Sequence, residues 1–258
     1  MTDAPSAYPP DLAGQTALIT GASTGIGAAS AVALARAGCD VGINFRSARQ
    51  AAEQVKARVE ALGRRAELFQ CDVCESDAVT RMVTDFVNRF GRIDILFANA
   101  GGLVERCRIT EMSDDLWQRT MALNLDSVFY TVRAALGPMR RARRGNIIVN
   151  ASVAARTGGG GECVHYASAK GALVTFVKGL AKEVADHGIR VNAVAPGIID
   201  TPFHQKYTDP ERLRRFWEMI PVGKFGQADD VARCVLWLAG ETDGFITGET
   251  IYIAGGGM

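Results

Sequence analysis

The chain has 258 residues, 48% hydrophobic and 22% charged, with a formal net charge of +1. That is ordinary globular composition, and its near-neutral charge gives no support to a nucleic-acid-binding surface. No run approaches the roughly 18 apolar residues that span a bilayer, and Met1–Pro10 lacks the basic and apolar regions of a secretory signal, so the expectation is a soluble cytoplasmic protein without membrane association.

Residues 1–11 carry three prolines and little apolar content, which predicts a flexible tail before a domain spanning 12–258. Thr16–Thr20 is a short apolar run suited to a strand covered on both faces. It leads through Gly21-Ala-Ser-Thr-Gly25-Ile-Gly27 into the alanine-rich stretch Ala28–Ala37. Strand, glycine turn and helix start together make a phosphate cradle, because glycines admit close backbone approach and a helix N-terminus offers free N–H groups. Asp40–Phe45 reads as the second strand, with Arg46 and Ser47 just beyond it. Dinucleotide folds place a ribose-binding carboxylate there. Phe45 followed by Arg46 instead offers no acid to repel a 2′-phosphate and a guanidinium to bind one, unless Arg46 faces solvent.

The alternation repeats. Ala51 to Leu62 marks a helix and Ala66–Gln70 a strand running toward Asp72 and Val73; Val79 to Phe90 is an amphipathic helix. Ile93–Ala98 is the fourth strand, ending in Asn99-Ala100-Gly101-Gly102. A helical region over about 113–144 contains Asn124 and ends in the basic cluster Arg140–Arg144, read as a solvated helix C-terminus. Asn146–Ala151 delivers Ser152 at a strand's carboxyl end, where α/β sheets hold ligands. Beyond Lys170, Leu173 to Val184 carries an apolar stripe; Ile189–Ala195 is a strand leading to Pro196-Gly197. Residues 203–220 read as a mobile substrate-loop insertion, Asp229–Leu238 as a helix and Thr250–Ala254 as the last strand. The pattern predicts one α/β, doubly wound Rossmann-like domain with a seven-stranded parallel sheet flanked by helices.

Tyr166 and Lys170 stand four apart, so they share one helix face. A neighbouring ammonium favours the phenolate, and a tuned phenol can pass a proton to or from a bound oxygen. His165 points to another helix face and is not expected in the chemistry, while Cys163 is expected to line the pocket without acting as a nucleophile. Cys71 and Cys74 have C-x-x-C spacing but no matching second pair, so no metal site is expected.

Thr20–Gly27, Asn99-Ala-Gly101, Asn124, Ser152, Tyr166-x-x-x-Lys170 and Pro196-Gly197 occur in the order of the short-chain dehydrogenase/reductase family, and the chain resembles that family over 12–257. The resemblance implies a nicotinamide-dependent oxidoreductase. Tyr166 is then the general acid/base, Lys170 lowers its pKa and binds the nicotinamide ribose, Ser152 bonds the substrate oxygen, and Asn124 anchors a water in a proton relay. Gly21, Ser23, Thr24, Gly25, Ile26, Gly27, Arg46, Ser47, Asp72, Val73, Asn99, Ala100, Gly101, Pro196, Gly197, Ile199 and Thr201, with Tyr166 and Lys170, are expected to meet the cofactor.

Ile220–Gly226 and Ile246–Thr250 resemble 3-oxoacyl-carrier-protein reductases, which implies a homotetramer and a carbonyl/alcohol substrate such as a 3-oxoacyl thioester. NADP(H) is the expected cofactor, with NAD(H) the alternative. Thr201–Pro210 resembles a glucose dehydrogenase loop, making a sugar or polyol dehydrogenase the alternative reading. A non-catalytic dinucleotide sensor would not need Asn124, Ser152, Tyr166 and Lys170 together. Ala98 and Ala254 depart from the family's asparagine and aspartate at those places, and Thr24 from the basic residue frequent in NADP-preferring members. The substrate pocket is expected from Gly102–Val104, Val153–Gly161, Cys163, Ile198 and the 203–220 insertion.

Overall fold

The computed structural model describes residues 10–240 and 244–257; most of the expected N-terminal tail, residues 1–9, lies outside them. Seven short apolar strands supply the sheet: β1 Thr16–Ile19, β2 Asp40–Phe45, β3 Ala66–Gln70, β4 Ile95–Ala98, β5 Gly145–Asn150, β6 Ile189–Pro196 and β7 Thr250–Ile253. They are ordered β3-β2-β1-β4-β5-β6-β7, all parallel. β1, β2 and β4 are buried along their whole length, as a strand with helices on both faces must be.

Helices α1 Gly25–Arg36, α2 Arg49–Glu60 and α10 Ala228–Gly240 cover one face, burying Leu34, Val55, Val59, Val235 and Leu238 against Ile43, Phe97 and Ile148. Helices α3 Ser76–Phe90, α5 Ser127–Ala142 and α7 Val164–Val184 cover the other, packing Phe86, Val132, Met139, Leu173 and Val177 on Leu18, Leu96, Val149 and Val191. The helix predicted over about 113–144 divides into α4 Asp114–Met121 and α5, joined by a π-helical turn at Ala122–Asp126. Ser113 starts α4 by accepting the Leu116 N–H, with Asp114 and Asp115 in the first turn.

The 203–220 stretch, read as a substrate-loop insertion, is largely helical. It contains α8 Pro202–Tyr207 and α9 Pro210–Glu218, the latter started by Asp209 accepting the Arg212 N–H, with Pro210 at the first position. A two-residue ladder between Ile199–Asp200 and Gly226–Gln227 ties off this excursion. Arg144, with Arg92, clamps the buried Asp94 at 2.9 and 2.8 Å, so part of the basic cluster is structural. The chain reverses direction across the sheet between β1 and β4, which opens a crevice beyond their carboxyl ends.

Candidate active site

Buried amides fix the crevice rim. Thr20 Oγ1 accepts from the backbone N–H groups of Asn99 and Ala100 at 2.9 and 3.0 Å. Asn99 Nδ2 donates to the carbonyls of Thr20 and Gly21, and its Oδ1 accepts from Asn150 Nδ2 at 2.9 Å. Asn99 therefore couples the ends of β1, β4 and β5; its side chain is committed to the scaffold. Asn44 couples the next pair: its Oδ1 accepts the Gly21 N–H at 3.1 Å, and its Nδ2 donates to Phe69 and Cys71 carbonyls. Sequence reasoning passed over Asn44, although a lone amide inside the apolar strand Asp40–Phe45 was a visible signal.

Between these rims and α8–α9 lies a cavity of about 730 Å³. Every residue expected to meet a dinucleotide borders it except Gly27. Gly27 packs one layer behind, where a Cβ would reach Gly21 O and come within 2.6 Å of Asn99 Nδ2. No side chain caps the start of α1 and no acid occupies its first turn, an arrangement that favours a bound anion. A Cβ at Gly21 would stand 3.0 Å from Ala100 Cα, so only glycine lets the β1 turn and the β4 end close together at the rim. These features fit a dinucleotide pyrophosphate. Phe45 does not face the cavity: its ring is buried in the core, and Arg46 alone stands at the end of β2, 3.7 Å from the Asp72 carboxylate.

Ser152, Tyr166 and Lys170 line the same cavity. The Lys170 Nζ donates to the Asn150 carbonyl at 2.6 Å and lies 5.7 Å from the centre of the Tyr166 ring. The Tyr166 phenol is not drawn toward neutrality: burial pushes it up to about 12, against the lowering influence of the Ser152 side chain, while burial pushes Lys170 down to about 7. Burial disfavours both charged forms.

Asn124 is fully buried and does not border the cavity. Its Nδ2 donates to Gly102 O at 2.7 Å and Thr120 O at 3.0 Å, and its Oδ1 accepts the Gly102 N–H. The π turn, in which the Ser127 N–H reaches back to Ala122 O, carries this side chain against the loop after β4. Asn124 thus holds the Gly101–Gly102 floor directly under Lys170.

His165 is fully buried, its Nε2 3.0 Å from Glu105 O, and does not border the cavity. Cys163 does, whereas Val104 of the expected substrate pocket does not. Ala254, expected to stand clear of the chemistry, also borders it. Arg106, which sequence reasoning did not single out, contributes a guanidinium at the substrate end. Cys71 and Cys74 belong to no metal-ligand cluster among the described residues, and no described helix is long and apolar enough to cross a membrane.

Comparison with known proteins agrees with this geometry. A family model described as enoyl-(acyl carrier protein) reductase matches residues 21–257. Uncharacterized oxidoreductase YgfF of Escherichia coli K12 is 37% identical over 243 residues, covering 93% of this chain and 98% of that protein. The 3-oxoacyl-(acyl-carrier-protein) reductase of Synechocystis sp. is 37% identical over 246 residues, covering 95% and 97%. Among solved structures, 7α-hydroxysteroid dehydrogenase complexed with NADH and 7-oxo glycochenodeoxycholic acid matches with a TM-score of 0.90 at 30% identity over 95% of each chain. With its doubly wound sheet, glycine turn and Ser152–Tyr166–Lys170 cleft, the chain belongs to the short-chain dehydrogenase/reductase family and is an oxidoreductase of CH–OH or carbonyl groups.

Proposed function

We propose that the protein is an NADP(H)-dependent reductase of a 3-oxoacyl thioester or a related ketone. The observation that carries this reading is one cavity bordered by Ser152, Tyr166 and Lys170 at its centre and by Arg46 at the end of β2. A bound nicotinamide dinucleotide supplies or accepts the hydride. Ser152 holds the reacting oxygen, and Tyr166, which borders the same cavity, gives it a proton. A phenol pushed up to about 12 is protonated throughout the neutral range, which suits the reductive direction. Lys170, tethered to the Asn150 carbonyl, stands where it steadies both the phenol and a ribose hydroxyl. The 3-oxoacyl reductase relatives support the thioester. An apolar substrate end, with Leu103, Phe203, Phe216 and Ile220, supports a ketone over a sugar or polyol.

The test is NADPH oxidation with an acetoacetyl thioester, a diketone and an aromatic ketone, beside glucose oxidation in reverse. We expect the thioester or ketones to turn over and glucose to be the poorest; glucose leading the panel would transfer the reading to polyols. The same proposal includes a homotetramer, for which the exposed Phe129 on α5, with Arg133 stacked 4.7 Å over its ring, offers an apolar face. It also includes a cytoplasmic location, in keeping with six free cysteines.

Lys170 gives a prediction independent of turnover. Held down to about 7 in the ligand-free protein, it is mostly neutral at pH 8.5. A dinucleotide that accepts its hydrogen bonds and brings negative phosphates raises that pKa, so the bound state holds more protons than the free state. Calorimetric titration at pH 8.5 in two buffers of different ionisation enthalpy should show uptake of roughly half a proton or more, absent in Lys170→Met. Identical enthalpies in both buffers would remove Lys170 from the cofactor site.

A further inference from the structure

Four charged side chains among the described residues line the cavity: Arg46, Asp72, Lys170 and Arg106. The first two mark the adenosine end and Lys170 the reacting centre, which leaves Arg106 at the substrate end without an assigned role. Arg106 is half-buried, and no carboxylate of the described residues lies within ion-pair distance of it. Its Nε donates to the Tyr207 carbonyl at 2.6 Å, and its Nη1 reaches the Gly161 carbonyl at 3.4 Å. Cys163, the N-cap of α7 three residues before Tyr166, borders the same cavity as Arg106 and Tyr166.

The nearest acid, Glu162, is already engaged by Arg212 at 2.9 Å and by Arg108 at 3.8 Å. Arg212 and Arg106 repel one another, and this, together with burial, pulls the Arg106 pKa down. A guanidinium remains charged throughout the physiological range all the same. Val104, two residues before Arg106, has φ +66°, and Glu162, whose carbonyl accepts the Cys107 N–H, has φ +54°. A β-branched residue in that region is an outlier, held here by the Cys107 N–H bonding Glu162 O at 2.9 Å and by His165 at Glu105 O. A cation with no counter-ion among the described residues thus borders the cavity near the apolar Leu103, Phe203, Phe216 and Ile220.

We infer that Arg106 is a specificity-determining residue that binds a carboxylate on the substrate, so that the ketones preferred by this enzyme are acids with an apolar body between carbonyl and carboxylate. This rests on the ketone-reductase reading and narrows it. Guanidinium and carboxylate match in planar geometry, and a charge-assisted hydrogen bond in a partly dehydrated pocket outweighs its neutral counterpart.

The test uses acid and amide pairs of the same shape, 4-acetylbenzoate with 4-acetylbenzamide and 5-oxohexanoate with 5-oxohexanamide. In wild type the acid of at least one pair should lead in kcat/KM by about 10- to 100-fold, and Arg106→Gln should bring that ratio close to one. Arg106→Lys should keep part of it. Glu162→Gln, which removes the nearest negative charge, should raise it, a gain that a collapsed loop would not produce. Binding of the same four compounds to protein saturated with NADP+, where no reduction occurs, should show the same order. Carboxylates that bind preferentially but are never reduced would keep the anion site and overturn the reductase reading. Equal binding and turnover of acid and amide in wild type, or equal losses of both in Arg106→Gln, would overturn the anion site.

Discussion

Tyr166→Phe is expected to lower ketone reduction by about 10²- to 10⁴-fold while leaving NADPH binding nearly unchanged, because the lost hydroxyl is the group that meets the reacting oxygen. The ring itself is retained, so its packing 6.2 Å from Phe203 and its face toward Lys170 survive. Direction matters to the pH profile. Reduction draws on the neutral phenol, which burial keeps protonated well above neutrality, so this limb should stay flat from pH 6 to 8. Alcohol oxidation draws on the phenolate, so its kcat/KM should climb with pH toward the phenol's pKa, and Tyr166→Phe should abolish the climb. Single-turnover measurements of hydride transfer decide the matter. A variant that keeps more than about a tenth of the wild-type rate would show that another group supplies the proton.

How much of this site could be read from the chain follows from how local its causes are. Asp40–Phe45 was legible residue for residue, because Val41, Ile43 and Phe45 give a short, largely apolar run suited to a doubly covered parallel strand. The glycine turn was legible for the same reason: Gly21, Gly25 and Gly27 are needed within seven residues, and the helix they start follows at once. Tyr166 and Lys170 were legible through one helical turn. What stayed hidden is held by contacts distant in sequence. Arg106 is aimed by a carbonyl 101 residues away and another 55 away, and nothing around it in the chain announces either. Asn124 was found, but its attachment to Gly102 depends on a π turn that periodicity cannot distinguish from continuous helix. The burial that bears on the phenol was hidden for a related reason. Sequence spacing counts the ammonium four residues on, whereas burial, which raises the phenol and lowers the amine together, exists only in the packed site.

Arg46→Ala is expected to weaken NADPH by about 10- to 150-fold and to change NADH little, since a charge-assisted hydrogen bond to a 2′-phosphate is lost and nothing else is removed. Under the proposed reading the choice falls to Arg46, which borders the cavity where Phe45 is buried and does not. Its present partner is Asp72, at 3.7 Å and with both side chains well exposed, 69% and 37%. An exposed pair at that distance contributes little, so a phosphate can displace the carboxylate at small cost. The same exposure places the expected effect toward the lower end of the range and makes it sensitive to salt. Thr24, which also borders the cavity, adds no second positive charge, so the wild-type preference for NADPH should be moderate. Asp72→Asn supplies the converse: it frees Arg46 and removes a negative charge from the phosphate's surroundings, and NADPH should bind more tightly. The measurement is kcat/KM with each cofactor for wild type and both variants at one ionic strength. A wild type that prefers NADH, or an Arg46→Ala that weakens both cofactors equally, would show that Arg46 serves Asp72 and solvent and that the end of β2 does not read the 2′-phosphate.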